Sequence, residues 1–170
     1  MTLTARFVRT AGQPDRVYVR RSNGSEVSWS FPSFGADLPH DLVHLVVERA
    51  FGVKNGFWGR VDAGVDPARV NAMANRIGGR DKYAGFGDDL RELYLAETLA
   101  NLSWPIVELS DEDRKNLALA EASKHQIELP SNVTIDSLRT VREELDLLRG
   151  RWRLLGQKGT LELNIDTKGK

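Results

Sequence analysis

Apolar and polar residues alternate near both ends of the chain, and between them apolar residues recur at helical spacing. A strand is expected around Leu3 to Arg9. Val17 and Val19 mark one face of a second strand, and Val27, Trp29 and Phe31 one face of a third. Between these two, Asn23-Gly24 predicts a type I′ hairpin turn, which needs positive φ at both central residues. The Gln13-Pro14-Asp15 turn separates the first two strands. After Gly159 the run from Thr160 to Ile165 alternates again, so a fourth strand should return to this sheet and bring the termini together.

Helices fill the interval. Asp37 is expected to cap one that begins near Pro39, runs to Phe51 and stops at Gly52. Asp66-Pro67 starts another, with Val70, Met73, Ala74 and Ile77 on one face before Gly78-Gly79. Asp88 opens a third that runs to about Leu102, and Ser110 with Asp113 caps a fourth that reaches about Lys124. In the fifth, Leu138, Val141, Leu145, Leu148, Trp152 and Leu155 make a long seam for which the sheet is the expected partner. A homodimer through this long C-terminal helix is the alternative. No strand is predicted between residues 39 and 155, which excludes a doubly wound parallel sheet. The expected fold class is α+β: a small antiparallel sheet, the N-terminal three-stranded meander plus the C-terminal strand, packed with about five helices as a single domain over residues 1–170.

Composition narrows the chemistry. Of 170 residues 41% are hydrophobic and 28% charged, ordinary values for a globular core and far from those of disordered or fibrous chains. Lys+Arg and Asp+Glu balance at 24 each, so the chain lacks the field of a nucleic-acid binder and no nucleic-acid partner is expected. There is no cysteine, so any metal must be held by histidine and carboxylate, and only three histidines are available. Neither a signal-like N-terminus nor an apolar run of membrane length is present, and a cytoplasmic protein without membrane partners is expected. Nucleotide P-loop and G-x-S-x-G patterns are absent.

The first helix reads His40-Asp41-Leu42-Val43-His44-Leu45-Val46-Val47-Glu48. Apolar residues cover most of its circumference, so it should lie largely in the core, and its few polar positions are His40, Asp41, His44 and Glu48. Residues four apart on a helix rise about 6 Å on neighbouring azimuths, which lets both imidazoles face one ion. At these residues the chain resembles the HExxH helix of zincin metallopeptidases. That resemblance implies that His40 and His44 ligate zinc, and that Asp41, an HDxxH departure one methylene shorter than the zincin glutamate, serves as general base or orients a histidine.

A catalytic zinc takes three protein ligands. Glu97 is the foremost candidate for the third: it lies within the apolar row Leu90, Leu93, Tyr94 and should turn inward, and a glutamate on a second helix is also what resemblance to the glutamate-type zincins implies. Glu48 has climbed about 12 Å from His40, and Glu92 and His125 are the remaining candidates. More than half of the 15 glycines fall between Gly52 and Gly87, interleaved with Phe57, Trp58 and Tyr83, which are expected to wall a pocket or plug the end of the core. The functional expectation is a zinc-dependent hydrolase acting on a small molecule or peptide. The alternative is a non-enzymatic interaction or scaffold domain in which the histidines are structural and the Phe57-Trp58 loop meets a partner.

Overall fold

The computed structural model describes residues 2–10, 12–31, 37–70 and 89–167. Four strands, β1 (Thr2–Val8), β2 (Asp15–Arg20), β3 (Glu26–Phe31) and β4 (Thr160–Asp166), form one antiparallel sheet in the order β3-β2-β1-β4. Alternation sets which side faces the core: Phe7 stands opposite Val17 and Leu161, and Val17 opposite Trp29, all buried. The pairing of Thr2 with Asp166 brings the two ends of the described chain side by side, as expected.

The β2–β3 turn differs from expectation. Gly24 has φ of 85°, whereas Asn23 is not in the positive-φ region. The amide of Gly24 donates to the carbonyl of Arg21 at 2.9 Å, and that of Arg21 to Ser25 at 2.8 Å. This is a three-residue loop, a type I turn closed by a glycine bulge, which needs only one positive φ. Asn23 contributes through its side chain, whose Oδ1 accepts from the Ser25 amide and hydroxyl.

Five helices are described in full: α1 (His40–Phe51), α2 (Phe57–Asp62), α3 (Arg91–Ala100), α4 (Asp111–Lys124) and α5 (Ile135–Leu154). Residues 67–70 are helical at the place where Asp66-Pro67 predicts a start, and Met73, Ala74 and Ile77 lie outside the described residues. Helix α1 ends as expected, with Gly52 at φ 70° and the chain bonded back to Glu48. Its start is capped by no side chain: Asp37 is exposed and faces Arg153 at 3.9 Å instead. Helix α3 likewise has no side-chain cap, Leu90 standing at its N-cap position and Asp88 lying outside the described residues. Ser110 does cap α4, accepting from the Asp113 amide at 3.0 Å.

Helix α1 occupies the centre and is in contact with β4, α2, α3 and α5, which explains why six of its apolar residues from Leu42 to Phe51 are buried together with His44 and Glu48. The seam of α5, Leu138 through Trp152, packs chiefly on α1 and α4. Its link to the sheet is at its end, where Arg9 Nη1 donates to the carbonyls of Trp152 and Arg153. With the seam buried inside the chain, those side chains are not available for a homodimer. No helix among the described residues is long and apolar enough to cross a membrane.

Candidate metal centre

His40 and His44 project from successive turns of α1, with ring centroids 4.8 Å apart and planes at 87°. Helix α3 packs against α1 and brings Glu97 over them. The Glu97 carboxylate straddles the pair: Oε2 is 3.6 Å from His40 Nε2, and Oε1 is 3.6 Å from His44 Nε2. One ligand atom from each of the three residues lies within 4.8 Å of the others. Atoms held about 2.0–2.2 Å from a tetrahedral ion stand about 3.3–3.6 Å apart, so a shared ion would draw these three groups slightly closer together. Asn101, at the end of α3, donates to the Glu97 carbonyl and to Oε2 and so fixes the carboxylate from behind.

Exposure is graded across the cluster. The side chain of His40 is 51% exposed, Glu97 21% and His44 2%, so the group opens to solvent on the His40 side and is closed on the His44 side. The closed side is aromatic. Trp58 packs on Phe7 and Trp29, and Phe57 lies 5.6 Å from the His44 ring. Phe57 thus lies between the His44 ring and the buried Trp58, on which it packs at 5.3 Å. Because both are buried, they cannot also form the exposed partner surface that the interaction-domain alternative requires. Tyr83 lies outside the described residues.

Glu48 has a role that spacing from His40 alone did not reveal. Its carboxylate is fully buried and accepts from His44 Nδ1 at 3.2 Å and from the amides of Phe57 and Trp58 at 3.0 Å each. Burial pushes the Glu48 carboxyl above its usual range, while the hydrogen bond and charge of His44 oppose that push. For His44, burial favours the neutral ring, but its hydrogen bonds to the Glu48 and Glu97 carboxylates, with their charge, outweigh it and raise the pKa to about 9. An Nδ1–H held by Glu48 leaves Nε2 aimed at Glu97, the arrangement by which a carboxylate orients a metal-binding imidazole. The sequence signal for this role was a glutamate four residues after His44 on a helix with almost no other polar position.

Asp41 is placed beside the centre and not in the ligand set. Its Oδ2 accepts from the Trp29 indole at 2.8 Å, and its backbone carbonyl accepts from the Trp58 indole at 2.9 Å. Burial raises its pKa, with Trp29 and the two imidazoles acting the other way. The histidine-orienting bond considered for Asp41 is made by Glu48. Glu92 accepts from the Asn55 amide, and His125 stacks on Tyr94 at 5.4 Å, so neither belongs to the cluster.

The chain matches no protein-family model, no curated protein and no solved structure. Function therefore has to be read from these side chains. His40, His44 and Glu97 form a group that could hold a metal ion.

Proposed function

We propose that the protein is a zinc-dependent hydrolase in which His40, His44 and Glu97 are the metal ligands. The observation that carries this reading is the convergence of two imidazoles from α1 with a carboxylate from α3, one ligand atom from each within 4.8 Å of the others, in a group open to solvent on one side. Two nitrogens and one oxygen suit zinc better than magnesium or calcium, which take oxygen ligands. Bound at such a centre, zinc supplies an acidified water and polarises a carbonyl. Glu48 holds His44 in the ligating tautomer, and Asn101 holds Glu97. Asp41, with its carboxyl pushed up by burial and Oδ2 anchored on Trp29, is the proton acceptor beside the two histidines.

Zinc-reconstituted, tag-free protein assayed on a panel of peptides and esters tests this. Hydrolysis should disappear on chelation and return with zinc. Asp41→Asn should lower kcat by about 100-fold or more, as expected for loss of a general base, while retaining the metal. Turnover that survives chelation, or no turnover by fully zinc-loaded protein, rejects the hydrolase.

A further inference from the structure

On the side where His40 is exposed, a groove of about 320 Å³ lies between the start of α1, the end of α3 and α5. Leu38, Val43 and Trp104 give it apolar walls, and His40 and Arg149 are among its polar lining. The Arg149 side chain is only 12% exposed. One terminal nitrogen, Nη1, donates to Asp146, but Nε is buried and has no acceptor among the described residues. A buried guanidinium N–H without an acceptor is unfavourable, because the group has left water and gained nothing in return. With Nη1 engaged by Asp146, the edge formed by Nε and the other terminal nitrogen is the planar fork that matches the two oxygens of a carboxylate or phosphate. Asp37, which also lines the groove, is 83% exposed and faces Arg153 at 3.9 Å.

We infer that Arg149 recognises an anionic group on the substrate, a carboxylate or phosphate lying in the groove that leads to His40. That the anion belongs to a substrate rests on the hydrolase reading; the anion site itself rests on Arg149 alone. Apolar walls with one cation at depth select a ligand that is apolar along its length and negatively charged at one point. A neutral ligand of the same shape would leave the Nε donor unpaired and should be rejected.

The test is calorimetric titration of the full chain, zinc-loaded and metal-free, with N-acetyl-leucine, its neutral amide, and leucinol phosphate. Both anions should bind at least about 10-fold more tightly than the amide, and the stronger of the two identifies the source of the charge. Arg149→Met should bring anion affinity down to that of the amide without changing zinc content, and Arg149→Lys, which keeps charge and loses the fork, should fall between. Equal binding of anions and amide by the wild-type protein overturns the proposal even if Arg149→Met fails to fold. So does a folded Arg149→Met that retains wild-type anion affinity. Arg149-dependent binding that persists in protein unable to take up zinc keeps the anion site and rejects only the metal centre.

Discussion

His44 lies between two carboxylates, Glu48 at Nδ1 and Glu97 opposite Nε2, and is almost fully buried. In metal-free protein this arrangement favours the protonated ring, with a pKa near 9 against 6.5 in the unfolded chain. The stabilisation is therefore complete below about pH 6.5 and is lost as pH rises through about 9, an effect on the order of 3 kcal/mol. Urea unfolding of chelator-treated protein between pH 6 and 9.5 should show this decline, and a flat profile would contradict it. Zinc competes with the proton at Nε2, so zinc affinity should rise over the same interval. Glu48→Gln should weaken zinc binding about 10–100-fold without removing a ligand, as measured by competition with a chromogenic chelator. His40, His44 and Glu97 could be picked out from the sequence because each is a polar residue on an otherwise apolar helical face. The task of Glu48 could not, since it depends on the amides of Phe57 and Trp58, which only the folded chain brings to it.

Glycines join α1 to α2 through close approaches that side chains would block. A Cβ on Gly56 would lie 2.8 Å from the Glu48 carboxylate and 3.1 Å from Ala96, and one on Gly59 would lie 1.8 Å from the Lys54 carbonyl. Gly59→Ala has no room without moving backbone and should cost at least about 3 kcal/mol in urea unfolding. Gly56→Ala should instead displace Glu48, and its zinc affinity should fall as in Glu48→Gln. An unchanged affinity would show that Glu48 is not required to orient His44. The strands, α1, α4 and α5 follow from period and capping chemistry visible in the chain, because those signals are local. The turn type at Gly24, the uncapped start of α1 and the choice of α1 and α4 as partners of α5 are set by tertiary packing, which overrides local preference.

The buried apolar side chains form one contiguous core from the inner face of the sheet through α1 to α5. The candidate metal site lies at the boundary of that core, with His44 and Glu48 inside it and His40 at the surface. An ion held there ties α1 to α3, so zinc at 100 times its dissociation constant should stabilise the fold by about 2.7 kcal/mol. The most direct test of the account is the zinc content of tag-free protein after equilibration with zinc at pH 7.5 and removal of free metal. One zinc per chain is predicted for the wild type, and almost none for His44→Ala or Glu97→Ala variants shown to be folded by circular dichroism. Wild-type protein that retains no zinc, or a folded His44→Ala that retains a full equivalent, would contradict the assignment of His40, His44 and Glu97 as a metal centre.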